Sequence, residues 1–320
     1  DDFAQATALS RAESSDRAFL YAVDAQNITI CGGGEIYGSA DGWFSRRVDA
    51  MGYRTPAAAR PRIILLENCR RVRLENITVR HAPMWTIHLV SCTGVVVDGV
   101  TVDNDLTMAN TDALDIDSCQ QVHIANSYFS AADDAVCLKT TDKPERIQRP
   151  LRQVTIVNCT LRSKSCAFKI GTETWQDIED VLVSNCTIFD SNRGIGLISR
   201  DGGRLRRMIF SSIAFDCVSA PACHWGEADP VFLSARRRDP AIEPGEISQI
   251  QFRGLVGECE GAINLHSETP GQIRRILFDG VQLTQKLNLA AEQGLYDIRP
   301  PCNPMSPTPP FRRRRPSARY

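Results

Sequence analysis

One short phrase recurs along the chain: apolar-x-apolar-x-(Asn/Gly/Ser)-x-x-apolar. Its copies are VRLENITV from Val72, VVVDGVTV from Val95, VHIANSYF from Val122, VTIVNCTL from Val154 and VLVSNCTI from Val181. MIFSSIAF from Met208, IQFRGLVG from Ile250 and ILFDGVQL from Ile276 continue it. Successive copies start 23, 27, 32, 27, 27, 42 and 26 residues apart, a period characteristic of solenoids. Val, Ile and Phe alternating with polar residues predict pairs of short strands rather than helices. The fifth position is Asn76, Gly99, Asn126, Asn158, Asn185, Ser212, Gly254 or Gly280. Asn and Gly tolerate a left-handed backbone, so a sharp bend between two strands belongs there. A β-sandwich would also show regular short strands, but not Asn or Gly at one fixed offset.

A second strand family lies between the copies. Its members are WTIHL from Trp85, DALDI from Asp112, DAVCL from Asp134, CAFKI from Cys166, RGIGL from Arg193 and GAINL from Gly261, with PVFL from Pro230 a looser match. The third and fifth residues are apolar and should point inward, which leaves the first, fourth and sixth to face out. One coil then holds at least three strands, and stacked coils make an all-β fold, a parallel β-helix. The pattern fades after Leu283. We expect one β-helix domain over residues 1–298, with N-terminal coils and a closing coil missing, because the first unit, Ile28-Thr29-Ile30, lies close to the start of the chain. Residues 299–320, rich in Pro and Arg, are expected to form a disordered tail with a solvated basic run.

Composition adds mainly exclusions. With 320 residues, a net charge of -1 and a pI near 6.6, the chain has a length suited to a large core and no electrostatic case for nucleic acid or an anionic membrane. It has no apolar run of membrane-spanning length. Twelve cysteines are spread through β-type runs, with Cys69, Cys92, Cys119, Cys159 and Cys186 each following Asn or Ser at a recurring place. Buried, stacked free thiols are expected there rather than disulfides. There is no CxxC pair, and neither a metal nor a cofactor is expected.

The candidate chemistry lies between Asn110 and Thr140. If the second strand family stacks in register, its first residues form a column: Trp85, Asp112, Asp134, Cys166, Arg193. Its fourth residues form another: His88, Asp115, Cys137, Lys169, Gly196, Asn264. Adjacent coils are separated by roughly 4.8 Å, so Asp112 and Asp134 should be near neighbours, with Asp133 one residue away. Three converging carboxylates repel one another and raise at least one pKa, which suits acid and base chemistry on a glycosidic bond. Asp112, Asp133 and Asp134 are therefore the candidate catalytic residues. Asp115 and Asp117 are expected to cap turns instead. Lys139, Lys169, Arg193, Trp85 and His88 are candidates for substrate contact, against the plainer readings of surface charge and lateral packing. Cys166 has no histidine at a neighbouring position and is not expected to be a nucleophile.

The phrases NTDALD at 110–115 and AADDAVCLK at 131–139 resemble the polygalacturonase family, glycoside hydrolase family 28. The similarity covers much of residues 20–285, including Pro83-Met84-Trp85 and Ile170-Gly171-Thr172. The resemblance implies a right-handed β-helix and inverting hydrolysis of galacturonide or rhamnogalacturonide linkages. It implies Asp133 as general acid, with Asp112 and Asp134 positioning and activating water. It also implies an acidic plant-type polysaccharide or oligosaccharide as partner, and a secreted or periplasmic location; a monomer is expected.

The chain departs from the family pattern in three places. Cys166 stands where the family usually has His, Gly196-Leu197-Ile198 stands where it has Arg-x-Lys, and Ala132 precedes the paired acids in place of Gly. Lys169, Lys139 and Arg193 are expected to supply the displaced positive charge. The competing readings are a glycosidase of the same fold acting on a neutral sugar, a calcium-dependent β-helix lyase, and a non-catalytic carbohydrate-binding β-helix.

Overall fold

Alternation forces each strand to bury one face, and three strands per turn let every coil close around its own apolar residues. A computed structural model describes residues 15–49, 52–57, 59–220 and 226–287, with Leu9 and the backbone of two short strands, Leu295–Asp297 and Arg312–Arg314. The fold is a right-handed parallel β-helix. Its first wall is a sheet of nine strands in chain order: Ala18–Val23, Arg62–Glu67, Ile87–Val90, Leu114–Asp117, Val136–Thr140, Cys166–Thr174, Arg193–Ser199, Val231–Ala235 and Asn264–Ser267. Every pairing between neighbours in this sheet is parallel. The repeated phrase builds the other two walls, for example Gln120–Ala125 before its bend and Tyr128–Ala131 after it. Later copies run through the bend as the continuous strands Ile178–Ser191, Leu205–Cys217 and Ile247–Cys259.

All eight fifth-position residues have positive φ, from 52° at Asn76 to 64° at Gly280. The bends are tied to one another. The Asn126 amide donates to Asp98 Oδ1 at 2.8 Å, and the Asn158 amide donates to Asn126 Oδ1 at 3.2 Å. At Gly99 a Cβ would fall 2.5 Å from Asn76 Oδ1, so a larger residue there would have to turn that amide aside.

Inside, the third residues of the first wall stack as Ile87, Leu114, Val136, Phe168, Ile195 and Val231. The fifth stack as Leu89, Ile116, Leu138, Ile170, Leu197 and Leu233. None of these is more than 2% exposed, and each such burial contributes about 1.5–3 kcal/mol. The ten described cysteines are free and all but Cys31 are buried, and the five at the recurring place fall in two stacks rather than one. Cys69, Cys92 and Cys119 line the corner between the first and second walls, where the Cys92 N–H donates to Cys119 Sγ at 3.2 Å. Cys159 and Cys186 follow the Asn bend between the second and third.

Residues 40–56 carry no alternation and form something the pattern does not predict. After a short 3-10 turn, Ala40–Trp43, the strands Phe44–Val48 and Arg54–Pro56 pair antiparallel. Ala40 and Phe44 pack on Met108, so this flap braces the segment leading to Asp112. The coils run through Gln282–Gln285. Most of the 299–320 tail lies outside the described residues; within it, Arg312–Arg314 pairs antiparallel with Leu295–Asp297.

The bend ladder gives a stability prediction. Asn126→Ala puts a residue without Asn's tolerance at φ 53° and removes two side-chain hydrogen bonds, and should lower stability by about 1–3 kcal/mol. Asn126→Gly keeps the backbone relaxed and should lose less. Thermal melts of the two variants check the order.

Candidate active site

The observed register brings the acids together. Ile87 pairs with Leu114 and Leu114 with Val136, so Trp85, Asp112 and Asp134 stack in one column, continued by Cys166 and Arg193. The next column holds His88, Asp115, Cys137, Lys169, Gly196, Phe232 and Asn264. Asp112, Asp133 and Asp134 each present an oxygen within 4.8 Å of the others. Asp112 and Asp134 are 2% and 0% exposed, whereas Asp133 is half-buried.

Buried polar groups hold the segments that carry these acids. Arg60 Nη1 donates to the carbonyls of Pro83 (2.8 Å) and Ala109 (2.7 Å), and Nη2 donates to Asn110 Oδ1 at 2.9 Å. Asn104 Nδ2 donates to Thr86 Oγ1 at 2.7 Å and to the Thr111 carbonyl at 3.0 Å. The turns entering Trp85 and Asp112 are thus fixed to each other. Beyond Asp133, the Ser163 hydroxyl donates to its carbonyl at 2.5 Å. Ser165 Oγ donates to Asp134 Oδ1 at 3.0 Å, and Lys169 Nζ donates to Asp134 Oδ2.

Burial and crowding decide the charges. Burial, then the charges of Asp133, Asp115 and Asp134, push the Asp112 carboxyl well above the usual carboxylate range. Burial also raises Asp134, with Lys169 the main opposing influence. Asp115 is pushed up to about 6 by burial, against the pull of Lys139, whose Nζ lies 2.7 Å from its Oδ1. Burial works against both lysine charges, yet Asp115 holds Lys139, and Asp134 holds Lys169, protonated well above the ordinary lysine range. The three acids are the group that a divalent cation would use here, but the Lys169 ammonium already sits on one Asp134 oxygen.

Several residues expected at a substrate surface are buried and already partnered. Trp85 is 4% exposed, and Lys139 Nζ lies 3.6 Å from its ring centroid, so that face is not open to a sugar. His88 is fully buried, edge-on to Trp85 at 5.0 Å, and burial pushes its pKa down to about 3, leaving it neutral. Arg193 is fully buried: its Nε donates to Asp229 at 3.1 Å and its guanidinium lies 3.7 Å over Phe232. The register pairs Ile195 with Val231, so Asp229 is the next member of the acid column. Starting that unit at Pro230 drops the acid that captures Arg193. Lys139 and Lys169, 2% and 7% exposed, bind wall acids.

The turn-capping expectation separates in the same way. Asp117 accepts the Thr141 N–H at 3.1 Å, the Thr141 hydroxyl and Lys143 Nζ at 2.7 Å. Burial opposes its charge, but Lys143 and His88 hold the carboxyl well below the usual range. Asp115 instead lies within the strand Leu114–Asp117 and belongs to the charged wall. Glu173 was missed. It is half-buried, and although burial opposes its charge, Lys139, Arg238 and Lys169 hold its pKa below the ordinary glutamate value. Extending the alternation from Lys169 along the strand Cys166–Thr174 reaches it.

A sequence profile, Glycosyl hydrolases family 28, matches residues 3–288. The chain belongs to glycosyl hydrolase family 28. A probable polygalacturonase of Arabidopsis thaliana is 25% identical over 83% of this chain, and the match spans 59% of that protein's length. Two solved structures share the fold. The polygalacturonase of Erwinia carotovora ssp. carotovora superposes with a TM-score of 0.70 and 19% identity, covering 88% of this chain and 73% of its own. The hyperthermoactive exopolygalacturonase of Thermotoga maritima gives 0.61 and 18%, covering 83% and 72%.

The buried pair behind the acid wall of this family 28 chain is testable. Lys143→Met leaves Asp117 charged, buried and without its ammonium, and should cost about 3–5 kcal/mol at pH 7. In the wild type, a depressed carboxylate pKa stabilises above its unfolded value, near 4, and that contribution is lost as pH falls. The variant's Asp117 takes up a proton more readily. The gap between the two proteins should therefore narrow on acidification, as read from melts at pH 7 and pH 4.

Proposed function

We propose that this family 28 chain is an inverting glycoside hydrolase that cleaves galacturonide-type linkages in pectic poly- or oligosaccharides. One observation carries the reading: three carboxylates meet within 4.8 Å, two of them buried and one half-exposed. Asp133, the half-buried acid of the three, protonates the glycosidic oxygen as the bond to the anomeric carbon breaks. Asp112 and Asp134 hold a water that attacks that carbon from the opposite side and gives up its proton to the pair. The names of the relatives, polygalacturonases acting from plant and bacterial sources, support the substrate class. An extracellular or periplasmic location and a monomeric state belong to the same proposal.

A second reading is separated from the first by stereochemistry. Inverting acids usually stand roughly 6.5–9.5 Å apart and retaining ones roughly 5–5.5 Å, and one oxygen from each of these acids comes within 4.8 Å of the others, a nearest approach that a nucleophilic carboxylate would also use. A covalent glycosyl-enzyme through Asp112 or Asp134 would then replace direct attack by water. The anomer first released from a pectic oligosaccharide, followed by proton NMR, separates the two: inversion gives the opposite configuration to the bond cut.

The activity test is a product assay on a panel of pectic substrates. Wild type should release saturated reducing sugar, and Asp133→Asn should be slower by about 10²–10⁴-fold while melting at a similar temperature. EDTA should change neither. Release of nothing from any substrate, or full activity in the variant, refutes the reading; an unsaturated, chelator-sensitive product would identify a lyase.

A further inference from the structure

Lys169 comes from the coil after Asp134, in the column next to it. Its ammonium lies on Asp134 Oδ2 while the Ser165 hydroxyl donates to Oδ1. Both oxygens of Asp134 therefore accept hydrogen bonds, one of them from a cation, an arrangement that suits a carboxylate. Asp112 is its opposite. It is 2% exposed, and its Oδ1 has no hydrogen-bond partner among the described residues. A buried oxygen without donors is poorly suited to carrying charge. Two neighbouring acids in one column thus have environments that push their protonation states apart, which is how acid and base roles are separated.

We propose that Lys169 is a positioning residue that keeps Asp134 ionised as the water-activating base and leaves the column's resting proton on Asp112. The inference rests on the hydrolase reading above and replaces substrate contact as the role of Lys169. The proton balance closes without any other reactant. Asp133 gives its proton to the leaving oxygen and becomes a carboxylate. The attacking water gives one proton to Asp134 and keeps its remaining O–H on the product's anomeric carbon. Protonated Asp134 now faces the Lys169 ammonium with its attraction lost, so the proton moves on to Asp133, whose oxygen lies within 4.8 Å. That restores both groups for the next turnover. Lys169 would have to abandon Asp134 to hold a substrate carboxylate, leaving the base buried and unpaired. Consistent with this geometry, burial raises Asp134 and Lys169 is the largest influence against it. The other titratable groups facing the pair are Asp112, Asp115, Asp133, Lys139, Glu173 and the thiols Cys137 and Cys166.

The test compares wild type, Lys169→Met and Lys169→Arg by pH–rate profile and by NMR titration of ¹³C-labelled aspartate carboxyls, with Asp134 assigned through Asp134→Asn. In Lys169→Met, Asp134 should titrate at least about one unit higher. The acidic limb of kcat should move up with it, and kcat near neutral pH should fall by about tenfold or more with KM little changed. Lys169→Arg should restore the limb. An unmoved Asp134 titration, or a raised KM on acidic substrates with an unmoved pH profile, overturns the proposal in favour of substrate contact. If the Met variant does not fold, the wild-type titration decides: Asp134 must ionise below Asp112, and the reverse order overturns the inference. Should the wild type cleave no pectic substrate, the hydrolase reading fails by itself, while the carboxyl titrations still show whether Lys169 controls Asp134.

Discussion

The inter-coil hydrogen-bond ladder is the constraint on which the rest of this molecule depends. Parallel strands with one register repeat every coil at about the 4.8 Å strand spacing, so whatever a coil carries at one position meets its like above and below. The apolar ladders use that rule favourably: Leu89, Ile116, Leu138, Ile170, Leu197 and Leu233 lie directly over one another. So does the Asn ladder, where the Asn126 and Asn158 amides each find a side chain of the coil before. Applied to Asp112 and Asp134, the same rule forces carboxylates together that would separate if free. The fold imposes the repulsion, and the surroundings must answer it.

The answer is two lysines drawn from within the wall. Lys139 takes Asp115 and Lys169 takes Asp134, and each is nearly buried in doing so. Lone charges at such depth would cost several kcal/mol each, whereas a pair with further hydrogen bonds recovers much of that penalty. This explains why the two lysines nearest the acids are paired with them rather than free. Their first task is set by the acids beside them. Behind the wall the same logic recurs with Asp117, Lys143 and Thr141, and at its far end with Arg193, Asp229 and the face of Phe232.

How much of this was legible in the sequence follows from what a period of two can and cannot express. Alternation and the fixed Asn/Gly offset placed the walls, the bends and the column Trp85–Asp112–Asp134 correctly, because these depend only on which face a residue takes. Pairing along a column depends on side-chain reach, which the period does not carry. Trp85 and Arg193 took the predicted columns, yet Lys139 covers the indole and Asp229 holds the guanidinium. Residue type alone suggests a turn for Asp115, whereas its place inside the apolar strand Leu114–Asp117 argues for the wall. The flap at residues 40–56 has no alternation to read, and its position against Met108 comes from a non-local contact.

The departures from the family's pattern also look different once stacked. Gly196 sits directly beyond Lys169 in one column, and Cys166 beyond Asp134 in the other. A Cβ at residue 196 would lie 2.9 Å from Cys166 Sγ, closer than packing allows, so Cys166 in its present rotamer requires glycine there. An arginine at 196 would have to displace that sulfur, which accepts no such movement easily: it is fully buried and donates to the Phe168 carbonyl at 3.1 Å. With 196 reduced to glycine, the cation next to the acids is Lys169, one coil nearer to them. The thiol at the usual histidine position, the glycine at the usual arginine position and the lysine on Asp134 are therefore one packing unit rather than three independent losses. Restoring the arginine by itself would meet the sulfur before it met a substrate, so a change at 196 has to be accompanied by one at 166.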